Sequence, residues 1–141
     1  MSVKLAFDRL GTWTVAGVKT PYPLNTQPNQ VPYTSLPALV ITPPTGGADA
    51  PFDLGLSKSA CVLMVDHTLL VSGISGSYFG ARVYATLDLI DAYFAKVKTD
   101  WTLNGQLLEP LQISGVRFAT INYGGSAYNA VIFPHKWVLT L

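Results

Sequence analysis

Charge is scarce in this chain. Of its 141 residues, 12% are Asp, Glu, Lys or Arg, against about 25% in ordinary soluble domains. Nine basic residues nearly cancel eight acidic ones, leaving a formal net charge of +1. That excludes a nucleic-acid binder working through a basic field. It also excludes intrinsic disorder, which needs low hydrophobicity and high net charge, whereas 49% of these residues are apolar. Cysteine occurs once, at Cys61 in the apolar run Ala60–Val65, which rules out an internal disulfide framework and a multi-cysteine metal site. Glutamate occurs only at Glu109, and histidine only at His67 and His135, so no metal-ligand spacing exists and no cofactor is expected. No uncharged apolar run reaches the roughly 18 residues of a membrane span. Lys4, Asp8 and Arg9 break the apolar core that a secretory leader would need. The expected setting is the cytosol, or an assembly built there.

What is present reads as one domain over residues 1–141, long enough to bury a sizeable core. Val3, Phe7 and Leu10 fall at helical spacing, with Ser2 as a cap and Gly11 or Gly17 as a stop. Pro21, Pro23, Pro28, Pro32 and Pro37 forbid a helix and predict an extended, partly polyproline-like connector. A short strand follows over 36–41. Residues 43–57 read as a long projecting loop carrying Phe52, Leu54 and Leu56, apolar groups that a purely solvated loop has no use for. Residues 59–74 form a long strand with large side chains on both faces. Cys61, Leu63, Val65, His67, Leu69 and Val71 share one of them.

Residues 79–98 carry the clearest signal. Val83, Leu87, Ile90, Phe94 and Val97 step by four, three, four and three, which predicts an amphipathic helix with that stripe in the core. Strands over 116–123 and 128–141 are joined by Gly124-Gly125-Ser126-Ala127, a hairpin signal. Pro134 predicts a bulge or an edge position in the last strand. The expected fold class is α+β: about four main strands, mainly antiparallel, with the long helix packed on the sheet and a short N-terminal helix.

Motifs for chemistry are weak. Asp66 and His67 are neighbours on a strand and point to opposite faces, so they form no dyad. His67 reads as a hydrogen-bonded structural histidine, His135 as a surface group. Gly73-Ile74-Ser75-Gly76-Ser77 lacks the last glycine of a nucleophile elbow and reads better as a link into the helix. Asp49 and Asp53 flank a proline, with at most weak cation affinity. No enzyme signature and no catalytic, cofactor-binding or metal residue is assigned.

In layout the chain resembles the tail-terminator proteins of long-tailed bacteriophages. The matching features are an N-terminal helix ending in Gly17-Val18-Lys19-Thr20, a Pro-rich link, the Leu36-Pro37-Ala38-Leu39-Val40-Ile41 strand, a Pro/Gly loop, a long strand, an amphipathic helix and a C-terminal hairpin. The resemblance implies a virion structural protein at the head-proximal end of the tail, assembled in the host cytoplasm. It implies a homohexameric ring that caps the tail tube, ends its polymerisation and meets a head-closure or connector protein. Genomic DNA would pass through the lumen without sequence-specific binding. Low charge fits a subunit buried against neighbours. The expected contact residues are Phe52, Asp53, Leu54 and Leu56 of the loop, Trp101 and Leu103 of the connector, and Arg117, Tyr123 and Tyr128 of the hairpin. The alternatives are a tail-completion, head-closure or tail-tube protein and, in another class, a small ligand-binding or hydrolytic domain.

Overall fold

The computed structural model, which describes residues 2–42, 52–54, 60–74 and 79–140, opens with helix α1 (Val3–Gly11). Ser2 caps it as expected: its backbone is extended and its hydroxyl accepts the Leu5 N–H at 3.3 Å. Ala6 and Leu10 turn into the core, and the Thr12 hydroxyl donates to the Arg9 carbonyl at the far end.

Among the described residues, seven strands make one mixed sheet: β1 (Thr20–Pro21), β2 (Ala38–Thr42), β3 (Phe52–Leu54), β4 (Ala60–Gly73), β5 (Gln112–Ile113), β6 (Arg117–Tyr123) and β7 (Ser126–Thr140). The axis of the fold is the antiparallel pairing of β4 with β7, running from Ala60 opposite Thr140 to Gly73 opposite Tyr128. β2 and β3 share the outer side of β4, and β5 and β6 share that of β7. β1 adds a parallel edge to β2. The four strands expected from sequence are β2, β4, β6 and β7. The other three are two or three residues long, too short for alternation to register. β3 corrects the reading of 43–57 as one loop, because Phe52–Leu54 pair with Cys61–Leu63. The rest of that segment lies outside the described residues.

Pro134 makes neither the bulge nor the edge expected of it; β7 passes through it in register, and the irregularity of this pairing lies between Leu70 and Ser72. Even-numbered residues of β7 turn their backbone polar groups away from β4: Pro134 O accepts from Ser114 N, and Val138 O from Leu108 N. The N–H that proline lacks therefore falls at the break between β5 and β6, and no bond to β4 is lost.

Helix α2 (Phe79–Thr99) lies on the face that also receives α1. Its buried line is Thr86 and Tyr93, continued by Asp100 just past its end. At 100° per residue the apolar stripe sits about 80° around the axis from that line. Val83, Ile90 and Val97 are half-buried, while Leu87 and Phe94 are 43% and 39% exposed. The expectation that all five fill the core is corrected on this point.

The opposite face is covered over part of its length by the Pro-rich segment. Instead of running extended throughout, it makes two single 3₁₀ turns, Leu24–Thr26 and Tyr33–Ser35. Pro23 and Pro32, each with φ −64° and ψ near 145°, enter those turns in polyproline geometry. Val31 packs with Ala38, Val40, Leu70, Tyr128 and Ala130 in a second, smaller core. The hydroxyls of Tyr123 and Tyr128 donate to the carbonyls of Pro28 and Val31. The Gln27 side chain acts as a strand fragment, donating to Ile41 O at 2.7 Å and accepting from Ile41 N at 2.8 Å.

The tip of the β6–β7 hairpin is pressed against this segment. Gly124 has φ +61°, and a Cβ there would come within 1.8 Å of the Asn29 carbonyl oxygen, whereas one at Gly125 (φ +85°) would meet nothing within 4 Å. Gly124→Ala is expected to cost more than about 2 kcal/mol in urea unfolding, from the clash added to left-handed strain, and Gly125→Ala only about 1 kcal/mol. Equal losses would show that the Asn29 contact is not rigid.

Candidate functional site

Two polar clusters lie inside the core. In the first, Tyr93 on α2 sits between His67 on β4 and His135 on β7. Its hydroxyl is 2.8 Å from His67 Nδ1 and 2.6 Å from His135 Nε2. Trp137 Nε1 donates to His135 Nδ1 at 3.1 Å. An indole nitrogen can only donate, so His135 carries its proton on Nε2 and donates to Tyr93. Tyr93 in turn donates to His67 Nδ1. The Tyr93 ring stacks on Phe133 with centroids 3.8 Å apart. Burial pushes His67 well below the ordinary histidine range, helped by His135, takes His135 down to about 3, and raises Tyr93 well above its ordinary value.

The sequence reading of His67 as a hydrogen-bonded structural histidine agrees with this. The reading of His135 as a surface group is corrected: it is 0% exposed. With Pro134 in register, residues 131, 133, 135, 137 and 139 all face the helices, and Val65 opposite His135 puts the two histidines side by side.

In the second cluster Asp100 accepts from Arg9 Nε and Trp13 Nε1, each at 2.7 Å, and from the Asn104 N–H at 2.9 Å. Burial alone would raise this carboxyl; the three donors outweigh it and hold the carboxyl below its ordinary value. Asp100 thereby fastens α1 and the Trp13 segment to the end of α2. The first cluster is fully buried, and in the second Asp100 is 6% exposed while Arg9 reaches the surface, an arrangement that suits both to orienting helices.

One open feature among the described residues is a cleft on the helix side of the sheet; another hollow, lined by Asp8, Arg9, Thr12 and Asn104, lies beside the Asp100 cluster. About 230 Å³ separates Val83 and Thr86 of α2 from Phe118 and Thr120 of β6, over a floor that includes Val71 and Val131. The described lining carries hydroxyls and one amide but no titratable side chain. Phe118 is 43% exposed at its rim, Leu87 follows Val83 one helical turn on, and Phe94 sits edge-on to Phe133. The chemistry the cleft's described lining offers is apolar contact and hydrogen bonding.

The residues expected to make contacts are dispersed. Trp101 and Arg117 are exposed, and Tyr123 is half-buried with its hydroxyl engaged. Leu103 and Tyr128 are fully buried in this chain's own cores, which corrects their assignment as contact residues. Phe52, Asp53 and Leu54 are in β3, and Leu56 lies outside the described residues, as do Asp49, Ser75 and Ser77. Leu87, Phe94 and Phe118 were the residues missed. The first two were assigned to the core stripe, and only the presence of Thr86 and Tyr93 on the true inner line could have displaced them.

In comparison with known proteins, no family model and no curated protein matches this chain.

Both histidines are neutral in the fold, whereas the unfolded chain protonates them below about pH 6.5. Stability is therefore full above that pH and declines as pH falls, by up to about 1.4 kcal/mol per pH unit for each histidine. Urea unfolding at pH 7 and pH 5 is expected to differ by about 4 kcal/mol; a flat profile would mean the histidines are protonated in the fold. Tyr93→Phe keeps the packing but strips both histidines of their shared partner, and is expected to cost about 2–4 kcal/mol at pH 7 by the same measurement.

Proposed function

We propose that this chain is a structural subunit of the head–tail junction of a long-tailed bacteriophage. It forms a ring on the head-proximal end of the tail tube, ends tube polymerisation and joins the tube to the head-closure complex. The observation that carries this reading is apolar surface left outside the core of a chain with 12% charged residues. Phe118 lines the cleft, Leu87 and Phe94 are 43% and 39% exposed on α2, and Tyr84 and Trp101 stand 78% and 58% exposed on and just beyond it. Large apolar and aromatic side chains left outside the core of so small a domain support an interaction surface. The described lining of the cleft, which holds no titratable group, supports a contact role over a catalytic one.

The order of elements also supports it: helix, Pro-rich link, strand, long strand, long helix and hairpin follow the layout on which the resemblance rests. In this reading the partners are other copies of the chain, the tube protein and a head-closure protein, with DNA passing through the lumen. The site is the virion neck.

The test is to add the purified chain to polymerising tube protein of the same phage. Negative-stain images are expected to show tubes of limited length, each ending in a ring, and Trp101→Ser with Tyr84→Ser to weaken capping at least about tenfold while leaving the melting temperature within a few degrees. Unlimited tube growth with no ring would refute the proposal. Filaments formed by the chain alone would identify a tube protein instead.

A further inference from the structure

β6 is the outer strand on its side of the sheet, and among the described residues its only strand partner is β7. The turn at Gly124–Gly125 has two residues, both with positive φ, so Tyr123 and Ser126 close the hairpin as a hydrogen-bonded pair. By alternation Phe118, Thr120 and Asn122 aim their backbone N–H and C=O groups outward. Natural edge strands are guarded against strand addition by charges, prolines or bulges. β6 has no proline and no register shift, and its one charge, Arg117, stands at the end.

We propose that a second copy of this chain adds its own β6 to this edge, antiparallel, about a two-fold axis at Thr120. The strand suits itself in that register. Thr120 meets Thr120 of the other copy, Phe118 meets Asn122, Ala119 meets Ile121 and Arg117 meets Tyr123, so no like charges are opposed and the one cation faces an aromatic ring. Centring the pair elsewhere shortens the overlap. Each outward-facing residue gains both of its backbone hydrogen bonds.

The helix side argues for the same occupant. α2 lies over β4 and β7, as the contacts of Tyr93 with His67, His135 and Phe133 require. In the paired sheet the two α2 helices stand three to four strand spacings apart, about 14–19 Å. Directly packed helices approach to about 8–10 Å. The difference is a slot for one layer of side chains, and Phe118, Leu87 and Phe94 from each copy border it. The apolar flank that α2 turns away from its own core is thereby covered by its symmetry mate. This contact is two-fold, unlike the head-to-tail contacts of a ring; it draws on Leu87, Phe94 and Phe118, as the proposed function does, and leaves Tyr84 and Trp101 for contacts of the ring.

Sedimentation equilibrium at about 100 µM, where contacts of ordinary strength are filled, is expected to give twice the 15.2 kDa chain mass. Thr120→Lys opposes two like charges and is expected to weaken the pair at least about tenfold. Thr120→Cys avoids reliance on that variant: a short bis-maleimide is expected to join two copies at position 120, and not at the exposed control Thr12→Cys, with native Cys61 buried and silent. A monomer at that concentration overturns the proposal. So does an oligomer, ring included, in which position 120 cross-links no better than position 12; a ring of that kind would leave the proposed function standing.

Discussion

One hydroxyl group fixes the arrangement of this protein. Tyr93 reaches from α2 into the face of the sheet and meets a histidine from each of the two central strands. A buried phenol and two buried imidazoles are costly unless each finds a partner. Here they satisfy one another, and Trp137 sets the direction of the protons by its inability to accept. The rotation of α2 follows. With Tyr93 pointing inward, the apolar stripe cannot also point inward, and Leu87 and Phe94 are left exposed.

The long β4–β7 pairing is the frame on which this rests. Only a register unbroken through Pro134 brings His135 beside His67. The remaining elements are held to the frame by side chains rather than by long ladders: Asp100 holds α1, and Gln27, Tyr123 and Tyr128 hold the Pro-rich segment on the other face. With ten prolines in the chain, a segment that cannot supply a full ladder is instead anchored by tyrosine hydroxyls and an amide acting on its carbonyls. Gly124 lets the hairpin tip come close enough to complete that cover.

The surface that remains is apolar where a lone soluble domain would be charged. Leu87 and Phe94 on α2 and Phe118 on β6 are exposed, and among the described residues β6 pairs with no strand but β7. In the proposed reading, contact with other copies or with a tube covers that combination.

By itself the sequence determined the α+β class, the cap at Ser2, the span of α2, the long strand, the hairpin and the covering of both sheet faces, because periodicity and turn residues are local and leave local marks. Strands of two or three residues left no such mark, so β1, β3 and β5 emerged only from pairing. Which side of α2 is inner was decided by tertiary structure, because polar residues at 86, 93 and 100 become interior only once partners are brought to them from distant strands. The same holds for His135, whose burial depends on how a proline sits between two other strands, and for Leu103 and Tyr128, whose burial removed them from the contact surface. Local patterns say which residues can be buried; only the assembled chain decides which polar groups are satisfied there, and hence which apolar ones are left outside.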